Sequence, residues 1–285
     1  MLMAETLLLG AHVSIAGGLD RAVDRATAMG CTAMQIFTRN ASRWQAPPLS
    51  DRMIKAFRQA RAVSNVHFVA AHSSYLINLA SPDLGTRQRS LRAFRDELER
   101  SCRLGLDALV VHPGAHMGEG TDSGIATVVR SLRTVCSQTD AEVAILLENT
   151  AGQGTGLGAA VEELGEIVRA VADERLGLCI DTCHAFAAGY DVRTAAGYAR
   201  LIDSVDQHLG VAKVQLFHLN DSKKDLASRL DRHEHVGQGM IGREGFRQLM
   251  RDGRFIHCPK IIETPPGENN CHALEDLALL KELAG

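Results

Sequence analysis

The sequence predicts an α/β fold: one (β/α)8 barrel (TIM barrel) domain spanning residues 1–285. Three observations carry this expectation. The length of 285 residues suits one barrel, which typically needs about 250. Eight short, β-rich apolar runs alternate with amphipathic stretches, the pattern of a parallel sheet buried on both faces. Those runs start on average roughly 35 residues apart, the length of one strand–helix unit.

In chain order the predicted strands are "LLLGAHVS" (7–14), "AMQIFT" (33–38), "HFVAAHS" (67–73), "ALVVHPG" (108–114), "VAILLENT" (143–150), "LGLCIDTCH" (176–184), "VQLFHLND" (214–221) and "KIIETP" (260–265). The stretches between them carry helical spacing. In "LRAFRDELERSCRLG", Leu91, Phe94, Leu98, Cys102 and Leu106 share one face while arginines and glutamates take the other. Asp51 and Asp122 stand where N-caps are expected, and Gly105 where a C-cap is.

Composition sets limits. Hydrophobic residues make up 45% and charged residues 23%, enough for a sizeable core. A net charge of -3 and a pI near 6.5 exclude a protein that holds nucleic acid by bulk basicity, since such domains usually exceed about 9. The seven cysteines form no Cys-x-x-Cys pair and read as small core residues of a reducing compartment, not as metal ligands. "MLMAETLLLG" lacks a positive n-region and carries Glu5, so it does not read as a secretory signal. No apolar run approaches the ~18 residues of a membrane span. The expectation is a soluble, cytoplasmic monomer.

One feature is not needed for packing. Seven of the eight strands end, at the C-terminal side, in a histidine or an acid: His12, His72, His112, Glu148, Asp181 with His184, His218 and Glu263. In a parallel barrel these ends converge on one mouth, where barrel enzymes place their chemistry. Carboxylates gathered there repel one another unless a cation sits among them. The run "RLDRHEHVGQG" (229–239) follows the seventh strand and lies over the same mouth. It has no apolar period and reads as a loop. Asp231 and His233 stand two apart, so extended backbone points both one way, and Gly237 and Gly239 let the chain turn back. Five histidines (His72, His112, His184, His218, His233) and four carboxylates (Glu148, Asp181, Asp231, Glu263) are too many for one ion. Imidazole mixed with carboxylate suits zinc or manganese. Three divalent ions, adding +6, would move the chain from -3 to +3 and draw a polyanion to this face.

These segments closely resemble the endonuclease IV family of zinc-dependent apurinic/apyrimidinic (AP) endonucleases, over nearly the whole chain. The resemblance runs from "GAHVSIAGG" (10–18), "HSSYLINLASP" (72–82), "HPGAH" (112–116) and "LENTAGQGTGLG" (147–158). It continues through "CIDTCHAFAAGYD" (179–191), "FHLNDSKKDLASRLDRHEHVGQGMIG" (217–242) and "IIETP" (261–265). It implies a (β/α)8 barrel with three zinc ions, manganese being admissible at one or more sites. It assigns His72, His112 and bridging Glu148 to the first ion, and Glu148, Asp181, His218 and Glu263 to the second. His184, Asp231 and His233 go to the third. His235 is not a family ligand and reads as a supporting or surface residue. Two departures stand out: the family often has an Arg-Gln pair before the tryptophan where this chain has Ser42-Arg43-Trp44, and an aspartate where this chain has Ser73.

The implied reaction is hydrolysis of the phosphodiester 5′ to an abasic site in duplex DNA, leaving a 3′-hydroxyl and a 5′-deoxyribose phosphate, with a 3′-phosphodiesterase side activity. A hydroxide bridging two ions near Glu148 is the expected nucleophile, since zinc lowers the pKa of bound water to about 7. Glu263 is expected to orient it or take its proton. Expected DNA contacts are Arg43, Tyr75 and Leu76 at the vacated base stack, Trp44 beside Arg43, and Lys223, Lys224 and Arg229 at phosphates. A metal-dependent sugar isomerase or epimerase on the same barrel, and a metal-binding protein without activity, stay open as alternatives. The first has no use for a third metal group.

Overall fold

A computed structural model describes residues 7–285. The reading against a secretory signal rests largely on residues 1–6 and lies outside the described residues.

The chain alternates strand and helix as its apolar runs require. The strands are β1 (Leu9–His12), β2 (Ala33–Ile36), β3 (Phe68–His72), β4 (Ala108–Val111), β5 (Ala144–Glu148), β6 (Leu176–Asp181), β7 (Val214–His218), β8 (Asp221–Ser222), β9 (His233–Glu234) and β10 (Lys260–Ile262). The helices are α1 (Leu19–Ala28), α2 (Asp51–Ala62), α3 (Leu84–Leu104), α4 (Thr121–Cys136), α5 (Val161–Val171), α6 (Thr182–Ala188), α7 (Ala195–Leu209), α8 (Gly242–Met250) and α9 (Cys271–Ala284). Strands β1 to β7 pair with their sequence neighbours in parallel. β10 then pairs with both β7 and β1 and closes the barrel, with Leu9 opposite Lys260 and Ala11 opposite Ile262. β8 and β9 form a separate antiparallel ribbon.

Residues of β2, β4 and β6 are buried throughout, which is why these runs show no polar alternation. Inside the barrel, Ala33, Ala70 and Ala108 face the larger Val110, Leu146, Leu216 and Ile261. Small and large side chains thereby fill the interior without a pore. A second core lies between barrel and helices, where Phe57, Phe94, Phe186, Phe217 and Phe246 are fully buried.

Two helix starts differ from expectation. Ser50, not Asp51, caps α2: its extended backbone lets the hydroxyl accept from the Met53 amide at 3.3 Å. α4 begins after Gly120 without a side-chain cap, and Asp122 lies inside its first turn, where a carboxylate faces the positive end of the helix dipole. Gly105 ends α3 as expected, with a left-handed φ of 74°. The run at 229–239 is not wholly loop, since its His233–Glu234 pair is strand β9. Among the described residues no helix is long and apolar enough to cross a membrane.

Candidate metal centre

The strand ends place the chemistry. His72, Glu148, Asp181 and His218 are the last residues of β3, β5, β6 and β7. His112 and Glu263 come one residue after β4 and β10. His184 sits in the first turn of α6 because the Asp181 carboxylate caps that helix, accepting from the His184 amide at 2.8 Å. Asp231 and His233 arrive from the long connection between β7 and α8. A mouth of about 440 Å³ results, walled by His72, His112, Glu148, His184, Asp231, His233 and Glu263, together with His12, Phe37, Tyr75 and the 264–266 segment. Asp181 and His218 are fully buried.

Buried polar groups hold the connection that carries Asp231 and His233. The Asp221 carboxylate accepts from the amides of Ser222, Gly237, Gly239, Ile241 and Gly242 at 2.7 to 3.1 Å. Gly239 is required by this close approach: a Cβ there would lie 2.4 Å from the Ser222 carbonyl oxygen and 2.5 Å from Asp221 Oδ1. His233 pairs with Ser222 across the ribbon. Beyond it, Asp276 of α9 accepts from the Val236 amide and the Thr264 hydroxyl, and meets His235 Nδ1, at 3.0, 2.7 and 3.0 Å. His235 is therefore a supporting residue, tied to α9.

Glu148 stands at the centre. Its Oε2 lies 3.0 Å from His72 Nε2 and 2.9 Å from His112 Nε2, while Oε1 lies 2.9 Å from His218 Nδ1. His218 Nδ1 is also 3.2 Å from Glu263 Oε2. Asp231 lies 3.2 Å from both His184 Nε2 and His233 Nε2. Donor atoms of His72, His112 and Glu148 lie within 4.8 Å of one another, as do those of Glu148, Asp181, His218 and Glu263, and those of Asp181, His184 and His233. The structure thus brings all nine residues singled out in the sequence to one mouth, but Asp181 stands with His184 and His233 where Asp231 was expected, while Asp231 groups with His233 and Cys183.

The electrostatics fit cations. Burial opposes the protonated form of His72 and His233, yet the Glu148 carboxylate hydrogen-bonded to His72 and the Asp231 carboxylate 3.2 Å from His233, with further carboxylate charge nearby, raise both to about 9. His184 and His218 are raised against burial by Asp181 and Glu263 respectively, together with Glu148. Burial likewise opposes ionised Glu148, Asp231 and Glu263, but the surrounding histidines hold all three below the usual carboxylate range. Acids so placed draw positive charge to the mouth, and protons are the lesser substitute for divalent ions. His233 Nε2 is buried and makes no hydrogen bond, although two carboxylates are near it. That orphaned atom, aimed among carboxylates, fits a metal-binding nitrogen.

Several of the candidate ligand rings are oriented from behind, as metal-binding imidazoles usually are. His72 Nδ1 meets the Ser73 carbonyl oxygen at 2.8 Å, His184 Nδ1 the Asn149 carbonyl oxygen at 3.0 Å, and His218 Nε2 the Gln35 amide oxygen at 2.8 Å. Gln35, Asn149, Asn220, Asp221 and Asp276 were not singled out in the sequence. Gln35 also donates to Glu263 at 2.6 Å, and Asn220 to Asp181 at 2.6 Å. A fully buried glutamine inside the otherwise apolar "AMQIF" was the signal that could have found Gln35. His12 lines the mouth without joining a ligand group; burial lowers its pKa.

Comparison with known proteins decides the family. A family model described as a xylose isomerase-like TIM barrel matches residues 23–283. A protein named probable endonuclease 4 from Trichlorobacter lovleyi is 48% identical over 277 residues, covering 96% of this chain and 99% of that one. The crystal structure of endonuclease IV from Thermus thermophilus superposes with a TM-score of 0.85 at 37% identity, covering 96% of this chain and 98% of that one. The chain belongs to the endonuclease IV family. A D-tagatose 3-epimerase-like protein, with a TM-score of 0.73 at 22% identity, covering 96% of each chain, shares the fold alone.

Within this member of the family, the two departures resolve differently. Ser73 leaves His72 supported by a backbone carbonyl, so no side-chain acid is needed there. Arg43 is exposed on the β2–α2 connection, and Trp44 behind it is half-buried under the Arg89 guanidinium at 5.5 Å. Tyr75 is 74% exposed, with its ring 5.4 Å from Phe37 at the mouth, and Leu76 beside it is half-buried. Lys223 and Lys224 are exposed, Lys223 lying 4.0 Å from Glu234. Arg229 lines a neighbouring cavity beside Gly152 and Tyr190. Cys179 and Cys183 come within reach of candidate ligand groups, closer than their sequence reading as core residues implies. Both are fully buried, and burial with nearby acid charge raises their thiols, Cys183 to about 12.

Proposed function

We propose that this chain is a DNA-repair endonuclease that hydrolyses the phosphodiester 5′ to an abasic site in duplex DNA. The products are a 3′-hydroxyl and a 5′-deoxyribose phosphate, and the protein acts as a monomer. His72, His112 and Glu148 would hold one divalent ion, Glu148, Asp181, His218 and Glu263 a second, and His184, Asp231 and His233 a third. Zinc is the metal that mixed imidazole and carboxylate donors favour. Bound ions supply Lewis acidity and make water acidic enough to serve as a nucleophile at neutral pH. The observation that carries the reading is the division of Glu148, whose two oxygens face separate histidine sets at 2.9 to 3.0 Å.

The chain's own residues account for the rest. Glu263 opens onto the mouth, with Oε1 fixed by the Gln35 amide at 2.6 Å. Its proposed role is to orient an attacking water and accept its proton. Phe37, Tyr75, Pro265 and Pro266 give the mouth apolar walls, against which a bare sugar would pack. Flipping a nucleotide costs a few kcal/mol, least where no base pair must be broken, so an abasic site enters most readily. Exposed Tyr75, and exposed Arg43 on the β2–α2 connection, would supply side chains for the vacated stack.

The test is incision of an end-labelled duplex containing one abasic site, with metal counted on the same sample. Cleavage on the 5′ side with about three zinc ions per chain is expected, and Glu148→Gln should abolish it. Metal-loaded protein that leaves the abasic duplex intact, or Glu148→Gln that cuts like the parent, would overturn the reading.

A further inference from the structure

The two connections that carry Arg43 and Tyr75 come from different strands, yet one buried ion pair lies beneath both. Arg39 Nε donates to Glu97 Oε1 at 2.7 Å, and the two side chains are only 2% and 1% exposed. The same guanidinium reaches into the first connection, donating to the carbonyl oxygens of Arg43 and Trp44 at 3.2 and 2.9 Å. Glu97, from α3, reaches into the second, accepting from the Ser74 amide at 3.2 Å. The Ser74 hydroxyl then donates to the Ala41 carbonyl oxygen, closing a ring between the connections. Arg100, one turn along α3, ties Thr38 and Pro47 by donating to their carbonyl oxygens, both at 2.9 Å.

Stability alone does not account for this arrangement. A buried ion pair often does no better than apolar side chains of the same volume. Here Arg39 Nη2 is also buried with no hydrogen-bond partner, a further cost. What the pair supplies is geometry: a planar fork bonded in three directions fixes the distance between two chain segments.

We propose that the Arg39–Glu97 pair positions the two recognition segments relative to one another, so that Arg43 and Trp44 meet DNA together with Tyr75 and Leu76 as one preset surface. Arg39 and Glu97 are positioning residues, buried away from the substrate. The proposal rests on the reading of the mouth as a DNA site. Preset geometry favours binding because less ordering remains to be done on contact.

Trp44 is the single tryptophan of the chain, so intrinsic fluorescence reports on this segment without any DNA. Two variants test the coupling. Arg39→Lys keeps a positive charge for Glu97 but cannot span Glu97 and two carbonyls at once. Ser74→Ala removes the bond to Ala41 and leaves no buried charge behind, and it decides the matter if the lysine variant does not fold. Expected are parental metal content, kcat within about twofold and KM for an abasic duplex raised about tenfold by Arg39→Lys, with a smaller rise for Ser74→Ala. Trp44 anisotropy should fall in both. Parental KM and parental Trp44 anisotropy in both variants would overturn the proposal, as would loss of kcat and metal together. If the parent protein ignores abasic DNA, the functional reading fails, and Trp44 anisotropy still decides whether the pair couples the segments.

Discussion

The β7–α8 and β2–α2 connections both rise over the same mouth and are held in opposite ways. In the first, anchors are carboxylates that accept from backbone amides: Asp221 takes five, and Asp276 takes Val236 while meeting His235. In the second, anchors are arginines that donate to backbone carbonyls: Arg39 to residues 43 and 44, Arg100 to residues 38 and 47. The carboxylate anchors hold residues 235–242, which follow Asp231 and His233 along the chain, and His233 itself pairs with Ser222 next to Asp221. The arginine anchors lie beneath their segment and leave Ser42 and Arg43 exposed at its apex. An ion needs its ligands fixed within a fraction of an ångström, whereas a large partner is met by exposed side chains carried on a fixed base.

This contrast can be broken by experiment. The largest effect is expected from Asp221→Ala, which leaves five amides without their acceptor in a buried place. Metal affinity should fall about 10- to 100-fold, as when support behind a ligand is lost, read by zinc release to a chromophoric chelator. Incision should fall with it, while Trp44 fluorescence stays parental. A variant that retains all its zinc would show that the anchor does not govern the ligand segment. Arg43→Ala should do the reverse, with zinc unchanged and the Kd for an abasic duplex raised about fivefold, the loss of roughly 1 kcal/mol of contact. Equal binding by parent and variant would remove the exposed apex from the DNA surface.

The smallest effect belongs to a pair remote from both connections. Hydrogen bonds from Arg175 hold the Asp173 carboxyl down at about 2. A depressed folded pKa stabilises above the unfolded value of about 3.9, and the contribution fades as pH falls through about 2. The pair is partly exposed, so its worth is under about 1 kcal/mol. Asp173→Asn should therefore lower the urea midpoint slightly at pH 6, with the gap to the parent narrowing below about pH 4. A gap constant across that range would contradict the assignment.

The periodic apolar runs determined the barrel by themselves, because a strand buried on both faces and an amphipathic helix leave distinct patterns in one dimension. Most of the nine candidate ligands were legible for a related reason: a charged or imidazole side chain ending an apolar strand is conspicuous, and strand ends in a parallel barrel share one destination, while Asp231 and His233 stood out as an acid and a histidine two apart in a polar connection. The helix starts were less legible, since Ser50 and Asp51 both suit a cap and only backbone geometry chose between them. The supports were decided by the tertiary structure alone. Gln35 meets His218 and Glu263 from 183 and 228 residues away, and Asp276 meets His235 from 41. A hydrogen bond between distant residues leaves no period and no fixed spacing in the sequence. What the chain gathers at the mouth is written locally; what holds those side chains in place exists only once the barrel has closed.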